Sequence, residues 1–206
     1  MIDTILYFAF LPAVIALVLT PGPDMMFAMA QGLRGGAGPA LAAAAGISMG
    51  VFINSALAGL GLDAIVSRAP WVFSVIRWVG VAYLLWLAYK SITTRLSPDS
   101  VQSVRPSRAF RDGLIVNLSN PSVIFFILAF IPQFVDPTRP ILAQFLVYGG
   151  TICVVGFAVK AAVGLTAGGI GRVLVKNVLF ERLLRWISAT IFGALALRLA
   201  VAGTRS

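Results

Sequence analysis

Residues 5–33 read ILYFAFLPAVIALVLTPGPDMMFAMAQGL, an apolar run interrupted by Thr20-Pro21-Gly22-Pro23-Asp24. The first part alone is about as long as a helix needs to cross a bilayer, roughly twenty residues. Proline lacks a backbone donor and clashes with the preceding turn, so the helix must kink or stop at the interruption. In lipid the freed carbonyls and the new helix start have no water to bind, so they must face inward. This stretch therefore predicts a membrane helix broken at depth, with an aspartate at the break.

The rest of the chain agrees. Of 206 residues, 59% are hydrophobic and 11% charged, and mean hydropathy is +0.96. A soluble domain carries about 25% charged residues. A transmembrane barrel would show segments of about ten residues alternating apolar and polar, whereas these apolar runs are about twice that length. The fold class expected is all-α and polytopic, with spans at about 3–20 (continuing after the break to 33), 39–62, 70–90, 111–135, 141–168 and 184–202. Met1-Ile2-Asp3 lacks the basic start of a signal peptide, so the first run is expected to be retained.

The net charge of +9 reflects orientation in the membrane, not nucleic acid. With the N-terminus outside, the inner side holds Arg34, Lys90, Arg95, Arg105, Arg108, Arg111, Arg172, Lys176, Arg182 and Arg185. The outer side then holds only Arg68, Arg139, Arg198 and Arg205. By the positive-inside rule both termini are expected outside.

The chain also reads as one transporter domain made of two similar halves, about 3–90 and 111–202, joined by a cytoplasmic linker at 91–110. PDMMF (23–27) aligns with PSVIF (121–125), and RWVGVAYLLWLA (77–88) with RWISATIFGALA (185–196). Three helices per half is an odd number, so the second half must be inverted, the plan of many secondary transporters. The second half has its own break at Asn117-Leu118-Ser119-Asn120-Pro121-Ser122. Broken helix ends can hold a carboxylate at the positive end of the dipole and an ammonium at free carbonyls. A single membrane proline more often makes a structural kink, but the matched pair favours a site.

Of seven acidic residues, Asp24 alone lies inside a long apolar stretch. An intramembrane carboxylate is costly and is by default a functional hypothesis. It could grip a substrate ammonium or exchange a coupling proton; the plainer alternative is that it caps the helix restarting at Pro23. One charge crossing about 100 mV releases about 2.3 kcal/mol, enough to hold a roughly fifty-fold gradient of a net-neutral solute. Lys160 could counter Asp24 or bind a substrate carboxylate. Either Lys160 or Arg77 could instead snorkel to the interface, the better reading for Arg77. Ala42, Gly46, Gly50, Asn54 and Ala58 recur every four residues, a stripe that lets a helix approach closely and aims Asn54 into the contact. Gly164 and Gly168 repeat that spacing, and such stripes leave room for a homodimer.

With no histidine and one cysteine, Cys153, the chain has no set of zinc ligands and no Ser–His or Cys–His pair. No GxxxxGK[ST] loop appears, so ATP hydrolysis is not expected. No cofactor and no catalytic role are called for.

LTPGPD (19–24), GISMG (46–50), RWVGVAYLLWLAYK (77–90) and FRDGLIVNLSNPSVIFFILAFIPQFV (110–135), in this order, resemble the LysE/RhtB family of small bacterial inner-membrane amino-acid exporters. The resemblance covers roughly 4–200. It implies proton-linked efflux of an amino acid, with Asp24 and both breaks near the pathway, and a neutral or weakly polar substrate such as homoserine, threonine or leucine. There are departures: the family commonly has lysine where Ser122 stands, and often histidine at Asn54. The residues expected to bind or couple are Asp24, Pro21, Gly22, Pro23, Asn117, Ser119, Asn120, Pro121, Ser122, Lys160 and Asn54. The rival readings are an exporter of another small cationic or amphiphilic solute, or a membrane scaffold without transport activity.

Overall fold

The computed structural model describes residues 2–20, 22–66 and 105–167, with scattered positions between 75 and 93 and between 179 and 200. Six α-helices can be followed through the continuous parts: α1 Thr4–Leu19, α2 Pro23–Gly35, α3 Ala37–Val66, α4 Pro106–Leu118, α5 Pro121–Phe130 and α6 Ile141–Thr166. A short 3-10 turn, Ile131–Phe134, follows α5. No strand occurs among the described residues. Pro21 and Arg77 lie outside the described residues, as does most of the expected third span (70–90) and sixth span (184–202).

Among the described residues, two helices are long and apolar enough to cross a membrane unaided, Ala37–Leu62 within α3 and α6. The pairs α1–α2 and α4–α5 each pass the same test as one span bent at its break, by 55° and 54°. Side chains such as Val154 and Leu57 point outward, 68% and 60% exposed, as a lipid-facing surface requires.

Local chemistry sets the boundaries. Asp3 caps α1, its carboxylate accepting from the amides of Ile5 (2.8 Å) and Leu6 (3.1 Å). The turn from α2 to α3 passes through Gly36 at φ +74°, a conformation that glycine adopts without strain. Pro106 occupies the first turn of α4, where its missing donor costs nothing. The helix therefore begins at 106 and takes the last five residues of the expected linker 91–110, which corrects the boundary drawn at 111. Gly38 packs beside Pro106, so Arg34 and Arg105 share one end of the molecule.

α3 lies at the centre, packed against both α4 and α6, while α2 packs on α3 and α6. The expected small-residue stripe makes these approaches. A Cβ on Gly46 would strike the Phe110 carbonyl, and one on Gly113 would lie 2.7 Å from the Ala43 carbonyl oxygen, so α3 and α4 meet backbone to backbone. Gly32 meets the Gly164 carbonyl in the same manner and brings α2 onto α6. Gly168 lies outside the described residues.

At the other end, Phe10, Phe126, Phe130, Phe134 and Tyr148 form a closed aromatic cluster. Phe10 and Tyr148 meet edge-on at 4.7 Å between ring centres, as do Phe10 and Phe134 at 5.3 Å. The Tyr148 hydroxyl donates to the Phe134 carbonyl at 2.9 Å, which gives the buried phenol its partner. This cluster pins α1, the end of α5 and α6 together and leaves the two breaks at mid-molecule.

Candidate functional site

α1 stops at Thr20, whose hydroxyl donates back to the Ala16 carbonyl at 2.6 Å. α2 restarts with Gly22 as its N-cap and no side-chain capping bond. Asp24 thus sits in the first turn of α2, where the helix dipole favours a negative charge. It is 6% exposed. No side-chain capping bond closes the start of α2, and the Asp24 oxygens accept from the second break instead.

Both oxygens are held by the second break. Asn117 Nδ2 donates to Asp24 Oδ2 at 2.6 Å, and Asn120 Nδ2 donates to Oδ1 at 2.8 Å. Asn117 closes α4 and is fully buried. Gly50 of α3 makes room for it, since a Cβ there would lie 2.8 Å from both Asn117 Cβ and Oδ1. Asn120 works in two directions. Its Oδ1 accepts from the Ser122 amide at 3.0 Å and so caps α5, while its Nδ2 holds the aspartate. Hydrogen bonds to a charged group in a region without water are worth more than neutral ones. The two broken helices are therefore joined through one carboxylate.

Beside this joint lies a cavity of about 60 Å³ lined by Thr20, Gly22, Pro23, Asp24, Asn120, Ser122 and Lys160, with an apolar wall that includes Val51, Val123 and Ile152. By the usual allowance of about 10–15 Å³ per water, that volume holds about four waters. Lys160, 6% exposed, faces this cavity instead of snorkelling to an interface. No ion pair within 4.0 Å joins it to Asp24 among the described residues.

Of the expected site residues, the structure brings together Gly22, Pro23, Asp24, Asn120, Ser122 and Lys160 around the cavity, with Asn117 behind Asp24. The two asparagines, expected to face a substrate's polar atoms, each donate to Asp24, and Asn120 also lines the cavity. Ser119 is exposed at the end of α4, outside the cavity. Pro121 opens α5. Asn54 is half-buried in α3, does not line the cavity, and has its Nδ2 buried without a partner among the described residues. Two glycines were missed as site residues. Gly50, part of a stripe read chiefly as helix packing, gives Asn117 its space. Gly156 lies one turn before Lys160, and a Cβ there would come 3.4 Å from the Lys160 ammonium. The i, i+4 spacing of a glycine and an intramembrane lysine was the available signal.

A family model described as LysE type translocator matches residues 15–203. A homoserine/homoserine lactone efflux protein of Salmonella typhimurium is 35% identical over 156 residues, covering 74% of this chain and 76% of its own. A leucine efflux protein of Klebsiella pneumoniae is 28% identical over 200 residues, 94% of each chain. An uncharacterized membrane protein of Vibrio cholerae is 28% identical over 194 residues, 93% of this chain and 95% of its own. No solved structure matches the chain.

Proposed function

The chain belongs to the LysE type translocator family, and from that premise we propose that it exports neutral or weakly polar amino acids across the bacterial inner membrane by proton-driven alternating access. The relatives named for efflux of homoserine and of leucine support that substrate class, whereas the lactone named with homoserine has no free carboxylate and lies outside it. The observation that carries the reading is Asp24, a buried carboxylate at the meeting point of both broken helices and on the wall of a cavity.

An ionised carboxylate has about four acceptor positions. The two asparagines fill two, and the others serve a substrate ammonium. In this reading, loading and release part the two breaks, and the halves rock around the joint. A proton arriving at Asp24 from the outer side neutralises the carboxylate and releases the ammonium; its departure inward resets the site. Proton entry and substrate exit then share one residue and need no second coupling group. The end bearing Arg34, Arg105, Arg108 and Arg111 is cytoplasmic and both termini are outside, as the distribution of basic residues requires. The six-helix inverted repeat supplies the two moving halves.

Cells loaded with a panel of dipeptides test this directly, comparing wild type, Asp24→Asn and empty vector. Wild type should speed efflux of particular amino acids, a protonophore should abolish the effect, and Asp24→Asn should fall to the vector rate. A well-expressed wild type that matches the vector across the panel would overturn the reading. A scaffold without transport activity would be indifferent to Asp24→Asn.

A further inference from the structure

Lys160 is a buried cation in the cavity wall, and no hydrogen bond or ion pair among the described residues engages its ammonium. Its position is built by the fold. The side chain doubles back along α6 over Gly156, where a Cβ would meet Nζ at 3.4 Å and Val18 Cγ2 at 3.8 Å. With a bulkier residue at 156, the ammonium would be pushed off that surface. On the facing wall stands Asp24, already held by two amides. The cavity thus carries one fixed negative and one fixed positive group, not in contact, with an apolar surface of Leu17, Val51, Val123 and Ile152 beside them.

We infer that Lys160, folded back over Gly156, docks the substrate carboxylate while Asp24 takes the ammonium, so that the site selects net-neutral zwitterions over cationic amino acids and over derivatives without a carboxylate. This rests on the export reading above and goes further, because it fixes the charge class of the substrate. A zwitterion placed between the two groups leaves no charge unpaired. A lysine substrate adds a second buried positive charge with no partner, and an amide or lactone leaves Lys160 without one; an unpaired buried charge is strongly unfavourable. The apolar wall offers nothing to a distal charge and suits an aliphatic side chain. Gly156 is a positioning residue that acts through Lys160.

The test uses the full chain in proteoliposomes. Leucine, or whichever amino acid the dipeptide panel exports fastest, is compared with its own carboxamide and with lysine. In wild type the zwitterion should be carried at least about tenfold better than either competitor, the scale of one charge-assisted contact. Lys160→Met should lower transport of the zwitterion about tenfold to a hundredfold and bring the zwitterion-to-amide ratio close to one, and Lys160→Arg should restore part of it. A Cβ alone at 156 would rest in ordinary van der Waals contact with the ammonium, so the positioning variant is Gly156→Val, whose added branches crowd it while keeping the lysine; it should move the same ratio the same way by raising KM. If Lys160→Met fails to fold, the wild-type competition and Gly156→Val still decide. A carboxamide or lysine carried as well as the zwitterion by wild type, or a ratio unchanged in Lys160→Met, overturns the inference while export itself stands. A wild type that moves no amino acid removes the export reading and this inference together.

Discussion

The two broken helices bend by almost the same angle, 55° at the first break and 54° at the second, yet they carry opposite chemistry. Each restarts on a proline in its first turn, Pro23 in α2 and Pro121 in α5, and proline alone accounts for the shared shape. The first break keeps its new helix start without a side-chain cap and presents Thr20, Gly22, Pro23 and Asp24 to the cavity. The second seals its start with Asn120 and directs the amides of Asn117 and Asn120 onto Asp24. One break bears the charge and the other holds it. Similar backbones have been given unequal work: the first break supplies the carboxylate, and the second supplies the amides that hold it while Asn120 and Ser122 share the cavity wall.

The largest effect should come from removing the holder. Asn117→Ala strips the 2.6 Å bond from Asp24 Oδ2, leaves a buried carboxylate oxygen unpartnered and opens a void beside Gly50. Together these should cost about 3 kcal/mol and reduce export as severely as loss of Asp24 does. Thermal unfolding in detergent and the efflux assay read the two effects separately. If Asn117→Ala unfolds with wild-type behaviour and exports normally, the second break is not a holder and the asymmetry is false.

A smaller change sharpens the same comparison without touching either break. Gly50→Ala places a methyl group 2.8 Å from Asn117 Cβ and Oδ1. Overpacking of this kind costs about 1–3 kcal/mol, and the amide can relieve part of it by rotating, at the expense of its bond to Asp24. The double variant Gly50→Ala with Asn117→Gly should cost less than the sum of the two single changes, because glycine at 117 removes both the Cβ and the amide oxygen that the new methyl group meets. Strict additivity in that cycle would show that Gly50 does not act through Asn117.

Much of this was legible in the sequence, and the reason for each success or miss is physical. Asp24 and both breaks stand out locally: a charge in an apolar run, and proline where a helix should continue. The stripe through Gly46 and Gly50 was legible as close helix approach, because a four-residue spacing lies on one helix face. Which polar groups meet was not legible. Asn117 and Asn120 lie 93 and 96 residues from Asp24, and no local pattern encodes a contact made only when two half-helices cross. Sequence alone therefore left the asparagines facing a substrate and offered Lys160 either Asp24 or a substrate carboxylate; packing pairs the asparagines with Asp24, and among the described residues no ion pair engages Lys160. The start of α4 at Pro106 was hidden for a different reason. Its first turn is polar and basic, so it reads as a loop until the capping geometry is seen.

The smallest predicted effect separates the breaks at the residue where they look most alike. Thr20 ends α1 and Ser119 ends α4, each a hydroxyl residue at the last position before its break. Thr20 donates to the Ala16 carbonyl and lines the cavity. Ser119 is exposed, and what it contributes to the end of α4 is its backbone amide, which reaches the Ile115 carbonyl at 3.0 Å. Removing its hydroxyl takes nothing from either Asp24 or the cavity. Ser119→Ala should therefore leave stability within about 0.5 kcal/mol of wild type and leave the efflux rate and substrate order unchanged. Should Ser119→Ala alter substrate order instead, Ser119 must face the solute directly at some stage of the cycle. The division between a break that supplies the carboxylate and one that holds it would then apply to only one of the transporter's states.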